Sequence, residues 1–253
     1  MAKQNRKKQK NQPEVFHPLF PRIIDGKAIN IIDSIEKIQF SIKEKREYFS
    51  RDHENWIKEK DIRYSIFSRF NKFLFATKLS IIFIETDLKN PYWWQNHFSQ
   101  LQLGEKTSSL QIYEQWVKHH LGMSLFIQTE YFFRTMLRFL DPNVCNNSTS
   151  EFINIYECLL SKINLNFPEP NNLLNLLRLI RNTIHNDGLY RNKNFNNESV
   201  IYKDKEYNFF QDTLIDFVTW DFLLLLTNDI IELIFEIIIN EKIISLPTAI
   251  SDQ

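Results

Sequence analysis

One predicted helix of this chain ends in the stretch Leu176-Leu177-Arg178-Leu179-Ile180-Arg181-Asn182-Thr183-Ile184-His185-Asn186-Asp187-Gly188. At about 100° per residue, its leucines and isoleucines gather on one side of the helix. Arg178, Arg181 and His185 fall within roughly 60° of one another on the flank of that apolar stripe. The final Asn186-Asp187-Gly188 predicts a left-handed C-terminal cap. The stretch therefore indicates a helix that faces a core and carries a cationic flank.

These polar residue types suit chemistry on a phosphodiester. Arginine stabilises the charge that develops on phosphorus-bound oxygens. Histidine transfers protons near neutral pH.

Helical periodicity continues over most of the chain and predicts an all-α fold, an up-and-down bundle of about six long helices. The other predicted helices span about 28–49, 62–86, 108–139 and 214–241, with one more from a cap at Thr149 or Ser150 to about Ile163. Gly122 is a candidate break in the third of them. A loop is predicted from Asn90 to about Thr107, and we interpret its pair Trp93-Trp94 as a packing anchor rather than a base-stacking site.

A short segment after the cationic helix departs from the helical pattern. Residues 199–209 alternate between apolar and polar side chains, with Asp204-Lys205 near the centre. This alternation predicts a small β-hairpin inserted before the final helix.

Composition limits the class of protein. The chain has only 4 Gly among 253 residues, 43% hydrophobic residues and 22 Phe, which favours a mainly helical protein with an aromatic core. Cys145 and Cys158 lack metal-ligand spacing and are interpreted as free cytoplasmic thiols. The basic, polar N-terminus predicts no secretory signal. Acidic residues interrupt the final apolar helix every few residues, so we expect a bundle helix, no membrane association and a cytoplasmic protein.

Charge is balanced overall but unevenly distributed. The formal net charge of +0 removes the simplest argument for nucleic-acid binding. Residues 1–12 nevertheless form a basic arm that we expect to be disordered. Two roles for this arm stay open, contact with a phosphate backbone and simple solubilisation.

The pair Arg181-Asn182, followed by His185 at the end of a helix, resembles the signature of the HEPN superfamily. These are small helical-bundle domains of bacterial toxins, defence systems and RNA-processing enzymes, and many are metal-independent ribonucleases. Three residues separate Arg181 from His185, one fewer than the family pattern has, whereas the six that separate Arg178 from His185 fit it. Either arginine is therefore a candidate for the family's arginine.

An earlier predicted helix adds to the resemblance. Glu130 stands four residues before Arg134 on one helix face, and HEPN domains often place such a glutamate where it orients the motif arginine. The resemblance covers about residues 107–243. With these bounds, the chain consists of the arm 1–12, an N-terminal helical part 13–106, the HEPN-like part 107–243 and a tail 244–253. We expect these parts to form one continuous helical domain.

The resemblance implies a metal-independent endoribonuclease of a toxin–antitoxin or antiviral defence system. It would cleave RNA through the ribose 2′-hydroxyl, act as a homodimer with two motifs in one cleft, and be restrained by an antitoxin or regulatory partner. His185 would transfer the proton, and Arg181, with Arg178 second, would stabilise the transition state. Asn182 would hold the phosphate and Glu130 would orient the arginine. We expect no metal or cofactor, because the sequence has no Gly-rich phosphate loop or His-Glu metal motif.

Two other interpretations stay open. A non-catalytic HEPN-like module would bind RNA, a nucleotide or a partner protein, which the balanced charge and the short Arg181-to-His185 interval favour. Alternatively, the arginines are solvated flank residues and His185 is a helix-end cap. A similar interval between Arg46 and His53 lacks the following Asn and the glycine stop, and we interpret it as a solvated helix end.

Overall fold

The computed structural model describes residues 26–53, 56, 60–143 and 151–247. These residues form eight α-helices and one two-stranded sheet, which confirms the all-α prediction with a small hairpin. The basic arm 1–12, Cys145 and the proposed cap at Thr149 or Ser150 lie outside the described residues.

The helices are numbered here in chain order. They are α1 (Gly26–Asp52), α2 (Ile62–Phe83), α3 (Pro91–His97), α4 (Leu103–Leu140), α5 (Phe152–Lys162), α6 (Pro168–His185), α7 (Trp220–Ile239) and α8 (Glu241–Ile244). A π-helical turn, Ile84–Leu88, continues α2. The strands β1 (Glu198–Tyr202) and β2 (Lys205–Phe209) lie between α6 and α7.

Helix α4, with 38 residues, is the centre of the bundle. It packs against α2, α5, α6 and α7, while α1 packs against α2 and α7. The buried apolar side chains of these helices and of the hairpin form one cluster. The helix that carries the cationic flank, α6, is therefore supported on several sides.

The prediction of a loop from Asn90 to Thr107 is wrong. Helix α3 begins at Pro91 because the side chain of Asn90 accepts a hydrogen bond from the backbone of Tyr92 at 3.0 Å, and proline suits a first helical position. Helix α4 begins at Leu103, where the side chains of Gln102 and Glu105 form a capping box. Polar caps in a short connection thus extend the helices beyond their apolar pattern.

The aromatic pair in that connection packs as predicted. Trp94 is buried, and its indole N–H donates to the backbone carbonyl of Leu88 at 2.6 Å. Trp93 packs against the core. Helix α4 also continues through Gly122, so the candidate break there is wrong.

The hairpin packs one face onto α6. Its buried residues alternate along both strands, and the register pairs Val200 with Tyr207 and Tyr202 with Lys205. Lys203 and Asp204 form the two-residue turn, both with positive φ, of 48° and 59°. The turn thus lies one residue before the pair Asp204-Lys205, which is near the centre of the predicted hairpin.

The final long helix is shorter than the predicted range of about 214–241. Helix α7 begins at Trp220, where the hydroxyl of Thr219 accepts a hydrogen bond from Phe222 N–H at 3.2 Å, and ends before Asn240. Its buried residues face α1, α4 and α6. Within the described ranges, none of the helices has the length and apolar character needed to cross a membrane.

A buried ion pair fixes the start of α2. Asp61 and Arg63 both have fully buried side chains, and the guanidinium Nη2 donates to Asp61 Oδ2 at 2.6 Å. The same guanidinium lies 3.8 Å above the ring of Trp56. It also donates to four backbone carbonyls near the described C-terminal end, those of Ile243, Ile244, Leu246 and Pro247.

We expect Asp61→Asn to lower the free energy of unfolding by about 3–5 kcal/mol, because it leaves a buried guanidinium without its counter-charge. Urea denaturation followed by far-UV circular dichroism measures the change. Glu47→Gln is the control, since it removes a carboxylate from the exposed pair Lys43–Glu47. Equal midpoints for the two variants would contradict the assignment of Asp61 and Arg63 as a structural pair.

Candidate anion-binding site

The cationic helix ends as the sequence predicts. Asp187 and Gly188 have positive φ values of 55° and 86°, and Gly188 N–H donates to the carbonyl of Thr183 at 3.0 Å. This bond closes six residues, as the longer of the two hydrogen bonds of a Schellman cap does. It fixes the last turn of α6, which carries Arg181, Asn182 and His185.

Helices α4 and α6 run antiparallel where they meet. Gly122 faces Ile184, and a Cβ atom at Gly122 would lie only 2.9 Å from Ile184 Cδ1. One turn further along α4, the ring of Phe126 lies 5.3 Å from the Arg181 guanidinium. Residue numbers therefore increase along α4 while those of the contacting residues on α6 decrease, as expected for antiparallel helices. This register brings Glu130, a further turn along α4, towards the level of Arg178.

A cavity of about 370 Å³ opens beside this crossing. Four of the five predicted site residues line it: Glu130, Arg178, Arg181 and Asn182. The rest of the wall comes from α4, from the start of α5 and from the loop after α6, through Phe126, Glu151, Phe152, Ile153, Tyr190, Arg191, Asn192 and Lys193.

Arg178 is held by a structural network. Its Nη2 donates to Glu198 Oε2 at 2.9 Å, and its Nε and Nη2 both donate to Asn175 Oδ1. The other oxygen of Glu198 accepts from Tyr190 Oη at 2.6 Å and from Asn192 Nδ2 at 2.7 Å. Burial, together with this bond to Glu198, raises the pKa of Tyr190 to about 12. One carboxylate thus joins α6, the following loop and β1.

Arg181 has a different environment. Its Nη1 donates to Asn182 Oδ1 at 3.1 Å, and its guanidinium lies over Phe126. Its Nε is buried and has no hydrogen-bond partner among the residues that the structure describes. Of the four cations in the cavity wall, it is the one without an acidic partner in the described part of the chain.

Glu130 orients a different arginine from the one expected. Its Oε1 accepts from Arg134 Nε at 3.0 Å and from Arg134 Nη2 at 2.6 Å. This is the i,i+4 pair that the sequence spacing indicates. Among the described residues, Glu130 forms no ion pair with Arg178 or Arg181, although all three line one cavity.

Two cations of the loop were not predicted as site residues. Arg191 pairs with Asp212 at 3.1 Å and Lys193 pairs with Glu151 at 3.1 Å, and all four side chains are more than half exposed. The sequence signal was the position of both cations in the polar stretch directly after α6. Their place in the wall depends on the fold of the loop against the start of α5.

The balance of charge in the wall favours an anion. Four cations and two carboxylates line the cavity. Exposed ion pairs such as those of Arg191 and Lys193 contribute little free energy, so an incoming phosphate can replace the acidic partner. In the described part of the chain, no group of three or more His, Cys, Asp or Glu side chains is placed to hold a metal ion. The arrangement suits direct contacts between arginine and phosphate.

His185 does not line this cavity. It is an exposed residue of the last turn of α6, and its imidazole forms no hydrogen bond with the described residues. Another histidine, His119 of α4, lies near this helix end, where the carboxylate of Asp187 acts on it. Burial lowers the pKa of His119 below its ordinary value of 6.5, an effect that Asp187 opposes and Lys118 reinforces.

Comparison with other proteins identifies no family for this chain. No family model, characterised protein or solved structure matches it. The resemblance to HEPN domains therefore depends on the motif residues and on the order of the helices.

We expect His119 to make the fold less stable in acid. The unfolded chain binds a proton at His119 near pH 6.5, whereas the folded protein binds it only at lower pH. Stability therefore falls as the pH decreases from 6.5 to the lower pKa of the folded state. Urea midpoints measured at several pH values should fall less steeply in His119→Gln than in the unmodified protein. Parallel pH curves for the two proteins would contradict this assignment.

Proposed function

We propose that the cavity between α4, α5, α6 and the loop 190–193 binds the phosphate backbone of RNA. The observation that carries this proposal is Arg181, a partly buried arginine in the cavity wall with no acidic partner among the described residues and an unpartnered Nε. A buried polar group without a partner is costly, and a phosphate oxygen relieves that cost with a charge-assisted hydrogen bond. Asn182 adds an amide beside the guanidinium.

The surrounding charges support an anionic ligand over a neutral one. Arg178, Arg191 and Lys193 lie in the same wall as Arg181, so four cations and two carboxylates line the cavity although the formal net charge of the chain is +0. Binding without catalysis is the simpler reading of this geometry, because the proton-transferring residue of the family pattern, His185, lies outside the cavity wall.

We expect Arg181→Met to weaken binding of a short single-stranded RNA by about tenfold or more, since it removes a charge-assisted contact but keeps an apolar stem over Phe126. Fluorescence anisotropy across a salt series measures both affinity and the number of phosphate contacts. The slope of log affinity against log salt should become shallower by about 0.7.

The matched control is Arg51→Met. Arg51 is an exposed arginine of α1 that pairs with Asp52, so its loss changes the net charge of the protein by the same amount. It should leave the affinity and the salt slope nearly unchanged. Equal effects of the two substitutions would show that RNA binding does not use the cavity.

A second candidate function is the metal-independent endoribonuclease. The observation in its favour is that His185 is exposed one helical turn after Arg181, about 40° around the helix axis. In this candidate, a second copy of the chain in a homodimer faces the same flank, as the resemblance to HEPN domains implies. A toxin–antitoxin or antiviral role, with a restraining partner, belongs to this candidate alone.

For this candidate, we expect RNA cleavage to persist in a metal chelator and to leave 2′,3′-cyclic phosphate ends. His185→Ala should lower the cleavage rate by about a hundredfold, because the proton-transfer step loses its catalyst. His53→Ala is the control, since His53 lies at the end of α1, away from the cavity. If RNA binding depends on Arg181 but no cleavage is detected, the endoribonuclease is rejected and the RNA-binding function is retained.

A further inference from the structure

An exposed aromatic side chain follows the last cavity-wall residue, Lys193, by two positions in the chain. Phe195 is 77% exposed, more than any other large apolar side chain in the described part of the chain. It lies in the same loop as Arg191, Asn192 and Lys193, three residues of the cavity wall. Exposed apolar surface of this size is unfavourable in water, at about 25 cal/mol per Å². Packing against the described residues does not explain the exposed position of Phe195.

The loop holds Phe195 in a defined turn. The backbone N–H of Phe195 donates to the carbonyl of Asn192 at 3.0 Å, and Asn194 N–H donates to Asn192 Oδ1 at 2.8 Å. The amide of Asn192 in turn donates to Glu198, the carboxylate that also holds Arg178. The position of the turn is therefore tied to the same network as the cavity wall.

The backbone of Phe195 has an unusual conformation. Its φ is +56°, in the left-handed region that bulky side chains rarely adopt. A glycine or asparagine would fit such a position with less strain. The chain thus accepts a local cost and places an aromatic ring in solvent two residues after the last residue of the cavity wall.

We propose that Phe195 is a stacking platform for a base of single-stranded RNA whose backbone phosphate is bound at Arg181. This proposal rests on the function proposed above and specifies its ligand class. In the sequence, Arg191 and Lys193 lie between Arg181, the proposed phosphate contact, and Phe195, the proposed base contact. Their positive charges can bind an RNA phosphate between these two contacts. A single strand exposes the faces of its bases, whereas a duplex covers them.

The test uses the full chain and a single-stranded RNA that contains one 2-aminopurine, whose fluorescence decreases on stacking. The unmodified protein should quench this fluorescence on binding. Phe195→Ala should lower the affinity at least about fivefold and abolish the additional quenching. Phe195→Tyr keeps an aromatic face and should restore both properties.

The matched control is Phe40→Ala, because Phe40 is 60% exposed on α1, which packs against α2 and α7. It should leave affinity and quenching unchanged. A second ligand, a phosphodiester strand of the same length without bases, should bind Phe195→Ala and the unmodified protein equally.

The outcomes separate the two proposals. If Arg181→Met weakens binding while Phe195→Ala behaves like Phe40→Ala, the stacking proposal is overturned and the anion site remains. If Phe195→Ala also weakens binding of the base-free strand to the same extent, Phe195 acts through the loop structure and the stacking proposal is again overturned. If Arg181→Met has no effect on RNA binding, the proposed function itself fails.

Discussion

The two helices on which the candidate site is built meet closely at Gly122 of α4 and Ile184 of α6. A side chain larger than hydrogen at Gly122 meets Ile184 Cδ1 at 2.9 Å, so the last turn of α6 lies directly on α4. From this point the antiparallel register places Arg181 against Phe126. The glycine lowers the helix propensity of α4, by about 1 kcal/mol relative to alanine, but permits this approach. The cavity thus lies next to a helix contact whose two residues, Gly122 and Ile184, are not part of its wall.

Two arginines of one helix face receive different roles from their surroundings. Arg178 meets Glu198 of β1, and this ion pair couples the hairpin to α6. Arg181, three residues later, faces an aromatic ring and an amide. Asn175 and Glu198 take up the Nε and Nη2 donors of Arg178, whereas the Nε of Arg181 has no partner among the described residues and keeps its donor for a ligand. The inserted hairpin thus supplies an acidic partner to Arg178.

The helices and the polar flank of α6 were predictable because both follow from local periodicity and capping residues. The loop predicted after Asn90 was wrong because its helices depend on polar caps, at Asn90 and Gln102, in a segment with a weak apolar stripe. Gly122 suggested a break because glycine has a low helix propensity, which is a local property. Its packing partner Ile184 is distant in sequence, so the contact between them could not be foreseen. The cavity wall was beyond prediction for the same reason. The contact of Lys193 with Glu151 joins segments 42 residues apart, and no periodic pattern records it.

The buried guanidinium of Arg63 has a consequence for the order in which the native contacts form during synthesis. Its carbonyl acceptor at Ile243 lies 180 residues later in the chain. A ribosome releases the start of α2 long before it releases that acceptor, so the guanidinium must stay hydrated in the nascent protein. The guanidinium of Arg63 can therefore become buried only after most of the chain has been synthesised. Long-range closure of this kind carries a high entropic cost and favours late consolidation of the bundle.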